Sequence, residues 1–205
     1  MQVQATLALG DLWIKDAKTS PQVVELLMQH LQVGGSELTQ SAAEISISKI
    51  GRDVLPAIKD ALTSKNRREI AAACYAVKAI GPTAVDLLPQ VFELLESSDP
   101  FLQRCGLLAL QGVGDEAFEA IEPVADCLDS DDFNVHCMAC RFLEKYGPDA
   151  LPAEERLVKI LDHGNPSSRG WAAIVLGAIG PTDKNDIVPM SVSYTHLTLP
   201  TIRLV

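Results

Sequence analysis

A large apolar or aromatic residue followed by glycine recurs at Ile50-Gly51, Ile80-Gly81, Val113-Gly114, Tyr146-Gly147 and Ile179-Gly180, at spacings of 30, 33, 33 and 33 residues. A unit of that length cannot bury an apolar face by itself, so the chain is restricted to an array in which each copy packs on the next. Fifteen residues before each glycine stands Ser36, Asn66, Asp99, Asp132 or Asn165. The side-chain oxygens of these residues accept hydrogen bonds from the free amides of a first helical turn. Each span therefore predicts a helix, capped at its start and stopped by a glycine in the left-handed conformation.

Counted from the cap, offset 7 is always tiny (Ala43, Ala73, Gly106, Ala139, Ala172), which predicts close approach to a neighbour. Offset 11 is Ile47, Val77, Leu110, Leu143 and Leu176, and offset 14 is the residue before each glycine. With offset 7 these follow helical spacing and form one buried stripe, a core feature rather than a cofactor site. Between each glycine and the next cap lies a second apolar pattern: Leu55, Leu88 and Ile121; Ile58, Val91, Val124 and Leu157; Leu62, Leu95, Leu128 and Leu161. Pro56, Pro89, Pro123 and Pro152 fall early in these segments, where a missing amide is best tolerated. Two helices therefore make one unit, the capped helix being the second of each pair.

Composition narrows the function. With 47% hydrophobic and 21% charged residues the chain is neither disordered nor collagen-like. Its net charge of −10 works against generic binding to phosphate backbones, so no nucleic-acid partner is expected. No run of about 18 apolar residues is present to span a bilayer, and MQVQATLALGDLW lacks the basic start of a secretory signal, so no membrane partner is expected. Five cysteines, Cys74, Cys105, Cys127, Cys137 and Cys140, are an odd number set inside helical patterns, which fits reduced thiols and a cytoplasmic protein. His136-Cys137-x-x-Cys140 has no second pair to complete a zinc site and no histidine after Cys140 to hold a haem. Asp129-Ser130-Asp131-Asp132 lacks the spacing of a calcium loop. No nucleophile elbow, phosphate loop, dinucleotide fingerprint or His-Glu-x-x-His helix occurs, so neither catalysis nor a metal or cofactor is expected.

A helical hairpin every 33 residues, with proline early in the first helix, Asp or Asn before the second, and Ala-rich second helices ending in Ile-Gly, resembles the HEAT family of repeats. The best matches are AVDLLPQVFELLESSDPFLQRCGLLALQGVG and AEERLVKILDHGNPSSRGWAAIVLGAIG, and the resemblance covers roughly residues 20 to 189. It implies an all-α fold: a right-handed, armadillo-like α-solenoid of stacked antiparallel hairpins. The Val-Arg pair usual after the cap survives only as Leu102-Gln103-Arg104 and Val135-His136-Cys137, so no continuous Asp–Arg ladder is expected. HEAT-like di-iron hydroxylases use His-Glu dipeptides, and this sequence has none. HEAT-like DNA glycosylases need a basic, aromatic-lined concavity, which 5% aromatic content disfavours.

In such an array the second helices are expected to line the concave face, and offset 9 points away from the buried stripe at about 100° per residue. Offset 9 is Ile45, Tyr75, Leu108, Arg141 and Ile174, flanked at offsets 5 and 12 by Arg104, Lys78, Gln111 and Glu144. These residues are the candidate protein-binding surface. Arg68, Arg104 and Arg141 form a candidate row for a carboxylate or phosphate, with solvation or pairing to nearby acids as the alternative. The expected function is a non-catalytic scaffold for a protein or peptide, monomeric rather than an obligate oligomer. The alternative is a regulatory or bilin-lyase-like subunit whose chemistry resides in a partner or in further sequence. Residues 1–19 read as a partial leading helix and 20–190 as about five hairpins. In the last segment, 191–205, Val192 to Thr201 resembles a translated sequencing-library adapter, so these fifteen residues are expected to be foreign to the native protein.

Overall fold

The structure, a computed structural model, describes residues 4, 6, 21–31 and 37–181. The expected foreign tail, the cap at Ser36 and nearly all of the leading segment lie outside the described residues. Met1–Pro123 and Val124–Val205 form two compact units. Along the chain run α1 (Pro21–His30), α2 (Glu37–Ile50), α3 (Leu55–Leu62), α4 (Arg67–Ile80), α5 (Leu88–Leu95), α6 (Pro100–Val113), α7 (Ile121–Asp126), α8 (Phe133–Tyr146), α9 (Glu154–His163) and α10 (Pro166–Ile179). The even-numbered helices are the second helices of the hairpins. Short 3-10 segments follow four of the repeat glycines, beginning at Gly51, Gly81, Gly114 and Gly147.

Four caps form as the residue types require. The Asn66 side chain accepts from the Arg68 amide at 3.0 Å, and Asp99 from the Phe101 amide at 3.0 Å. Asp132 accepts from the amides of Asn134 and Val135, and Asn165 from that of Ser168. Each such cap contributes about 1 kcal/mol.

The glycines correct one expectation. All five repeat glycines have positive φ, from +53° at Gly147 to +85° at Gly180, as no other described residue does. Their ψ angles are not those of a left-handed helical stop: ψ is −140° at Gly81, −142° at Gly114, −122° at Gly147 and −178° at Gly180. This extended, mirror-image region is open essentially to glycine alone, whereas the left-handed helical region also admits asparagine. The repeat is therefore punctuated by glycine for a stricter reason than a helix stop supplies.

In the first unit α2, α4 and α6 lie side by side, with α3 packed against α4 and α5 against α6. The predicted stripe is interior: Ala43, Ile47, Ile50, Ala73, Val77, Ile80, Leu110 and Val113 are all buried. Offset 7 shows why it must stay small, because a Cβ on Gly106 would lie 2.8 Å from Leu95 Cδ2 and 3.3 Å from the Val91 carbonyl oxygen. Flanked on both sides, α4 is buried nearly all round, Ala71, Ala72, Cys74 and Ala76 included. The stretch Arg67–Leu95 is apolar enough by composition to cross a membrane, but it comprises α4, a turn at Gly81 and α5, and most of its apolar window is interior. Thr6 approaches α2, where Ser46 Oγ donates to the Thr6 carbonyl at 3.1 Å.

In the second unit α8 and α10 pack together and α9 packs on α10. Ala139, Leu143, Ala172, Leu176 and Ile179 are buried as predicted. Tyr146, at offset 14, is only half-buried; its ring lies 4.8 Å from that of Phe142, with Lys145 Nζ 5.4 Å from its centroid. Ion pairs do link consecutive repeats within each unit. Arg67, the residue after one cap, pairs with Asp99, the next cap, and Arg156 on α9 pairs with Asp126 and, at 3.2 Å, with Asp129. As exposed pairs they are worth at most about 1 kcal/mol each and set register more than stability.

Candidate functional site

Offset 9 was expected to face solvent, and the structure divides it. In the first unit Ile45 is 50% exposed, whereas Tyr75 and Leu108 are half-buried. The cause is the close approach of α4 and α6 near their C-terminal ends. There a Cβ on Gly112 would fall 2.0 Å from the Lys78 carbonyl oxygen, so the two backbones all but touch. Neighbouring second helices thus cover the flanks of Tyr75 and Leu108 and leave their outer edges accessible. Around them Lys78 and Arg104 are half-buried and Gln111 is exposed.

In the second unit Arg141, Glu144 and Ile174 are exposed, Ile174 by 48%. Arg141 and Glu144 share one face of α8 at i, i+3 spacing, so this surface is mixed in charge. The proposed row Arg68, Arg104 and Arg141 draws on both units; Arg68 and Arg104 sit on α4 and α6 of the first.

Two concavities were not foreseen. One, of about 530 Å³, lies between the first helices of the first unit; Val24, Met28, Ala57 and Ala61 line it, with Glu25, Asp60 and Glu69 among its polar residues. The other, about 260 Å³ in the second unit, is lined by Leu128, Asp129, Phe133, His136, Ile160 and Ser168 among others. The repeat pattern marks helix faces that meet within a hairpin and carries no signal for gaps between elements of different hairpins, so neither was legible in it.

The cysteines behave as interior side chains. Cys74, Cys105, Cys127 and Cys140 are buried, Cys137 is half-buried, and all five are free thiols. Cys140 Sγ lies 3.7 Å from His136 Nε2, a buried pair on one helix. No cluster of three or more metal-ligating side chains occurs among the described residues. Burial pushes Cys127 and Cys140 up to about 12, and a hydrogen bond with Cys105, then burial, holds Cys74 well above the ordinary thiol value. Cys105 is lowered, chiefly by its hydrogen bond with Cys74, but it is buried; only Cys137, on α8 beside Trp171 and raised chiefly by burial, has a thiol open to a reagent. Thiolate is the reactive form. Titration of the native protein with a chromogenic disulfide at about pH 7.5 should therefore show one fast thiol, lost in Cys137→Ala, with the other four reacting only after denaturation. Several fast thiols in the native protein would contradict this assignment.

No protein-family model matches the chain, and no curated protein does. Among solved structures, two engineered proteins from a structural-genomics consortium match. One is 20% identical with a TM-score of 0.53, covering 87% of this chain and 92% of its own. The other is 22% identical with a TM-score of 0.53, covering 86% and 89%. The complex of CpcE and CpcF of phycocyanin lyase from Nostoc aligns at 18% identity and a TM-score of 0.45 over 96% of this chain and 88% of that one. Together with the hairpin stacking seen within each unit, the two engineered matches define the fold: an all-α protein of repeated helical hairpins. At these identities the likeness concerns the fold, and function has to be argued from the site.

Proposed function

We propose that this chain is a protein-interaction scaffold, without catalysis of its own, that holds a protein or peptide on the outer face of its second helices and works as a monomer in the reducing cytoplasm. One observation carries the reading: Ile45, Tyr75 and Leu108 occupy equivalent positions on the neighbouring helices α2, α4 and α6, and each keeps apolar surface accessible. Half-buried apolar side chains in a rigid frame make effective anchors, because little of their freedom remains to be lost on binding. The free cysteines support a reducing compartment.

The test is a random peptide library displayed on phage, selected on the full chain and re-assayed on Leu108→Asp. Recovered clones should bind the variant at least about tenfold more weakly, the scale of losing one interface anchor. Ile45→Asp, at a more exposed position, gives a second variant with little risk to folding. Clones that bind the wild type and both variants equally would overturn the reading.

A further inference from the structure

The charge of the first unit is not spread evenly over its helices. Its first helices and turns (residues 21–31, 51–66, 81–99 and 114–122) carry eleven carboxylates against three lysines and arginines. The second helices, α2, α4 and α6, reverse that balance with five cations and three carboxylates. Away from the stripe the cations are Lys49 and Arg68, both exposed, and Lys78 and Arg104, both half-buried, at offsets 13, 2, 12 and 5, and no carboxylate occurs at those offsets. Of the three carboxylates on these helices, Glu69 is engaged at its own cap, accepting from Ser64 Oγ and, at 2.9 Å, from Asn66 Nδ2. Glu37 and Glu44 stand at offsets 1 and 8, toward the flank of α2. In a protein with a net charge of −10, the first unit thus presents a cationic face among its described residues, and it is the face that also displays Tyr75 and Leu108.

We infer that the segment docking there is an acidic, apolar peptide, whose carboxylates meet Arg68, Lys78 and Arg104 while its large apolar side chains settle on Tyr75 and Leu108. The inference rests on the reading of this face as a docking surface and adds the chemistry of what docks. Charge complementarity selects the occupant: the cationic face attracts carboxylates while the rest of the molecule repels them, which orients the encounter. Spacing supports the same partner. Neighbouring helices stand about 8–10 Å apart, and an extended chain covers that distance in about three residues. Acidic and apolar side chains recurring at that interval would meet successive helices. The cations here match a few carboxylates, whereas a nucleic acid would bring one phosphate per residue into the field of a strongly acidic protein.

The clones recovered from the library decide the matter. Their sequences should be enriched in Asp and Glu together with Leu, Phe or Trp, and a synthetic peptide from the set should lose at least about tenfold in affinity on Arg68→Glu/Lys78→Glu. The milder pair Arg68→Gln/Lys78→Gln should give a smaller loss with the helical circular dichroism unchanged, and added salt should weaken the wild-type complex. Neutral or basic clones, sensitive to Leu108→Asp but indifferent to both charge pairs, would leave the docking face standing and overturn its acidic partner. Clones indifferent to Leu108→Asp and Ile45→Asp as well would overturn the docking face itself. If single-stranded oligo-dT displaces the acidic peptide at a lower concentration than unlabelled peptide does, the face is a nucleic-acid surface and the inference fails.

Discussion

Gly112→Ala is expected to destabilise the protein by about 2 kcal/mol or more, although alanine is the better helix former by about 1 kcal/mol. The added Cβ would sit 2.0 Å from the carbonyl oxygen of Lys78 and 2.6 Å from its carbonyl carbon and Cα. These are backbone atoms of a helix buried on nearly every side, so they cannot swing away as a side-chain end would. Relief requires α6 to move off α4, which opens contacts along the whole pair. For a chain of this size that corresponds to a fall in Tm of about 4–8 °C, measured by circular dichroism. Gly170→Ala is the matched control: nothing lies within 4 Å of the Cβ it would gain, and a gain of about 0.5–1 kcal/mol is expected from propensity alone. Equal effects of the two substitutions would refute the close α4–α6 contact.

Leu143→Ala should cost about 2–5 kcal/mol, the range for removing a fully buried leucine where the surroundings close only partly. Leu143 is completely buried at offset 11 of α8, on the stripe shared with Ala139. The loss should appear as a lower denaturation midpoint, because the substitution acts on packing and leaves the helix's cap at Asp132 and its stop at Gly147 in place. Leu143→Met, which keeps the volume, should cost less than about 1.5 kcal/mol. If alanine and methionine proved equivalent, the position would not be core.

Much of the fold was legible because a repeat states the same physical requirement several times. One Asn or Asp before an apolar run is weak as a sign of a cap, but Asn66, Asp99, Asp132 and Asn165 stand at a constant distance from a glycine, and all four cap. The site was legible only in part. Helical periodicity correctly turned Tyr75 and Leu108 away from the stripe, yet it treats each helix as if it stood alone. How far a neighbour covers them depends on the distance between axes, which no periodicity within one helix encodes. The grouping of cations on α2, α4 and α6 was likewise present residue by residue, but it became one face only when the helices stood side by side.

From the sequence alone came the local terms: where each capped helix begins and ends, which stripe it buries, and which glycine breaks the chain between hairpins. These depend on hydrogen bonds and dihedral preferences within a few residues, so the residues that satisfy them are close in the chain. The tertiary structure alone decided the contact of Gly112 with Lys78, the hydrogen bond between Cys74 and Cys105, the burial of α4 on almost all sides and the half-burial of Tyr75 and Leu108. Each of these is set by the separation of helices about thirty residues apart in sequence, and that separation follows from the packing of all their side chains together.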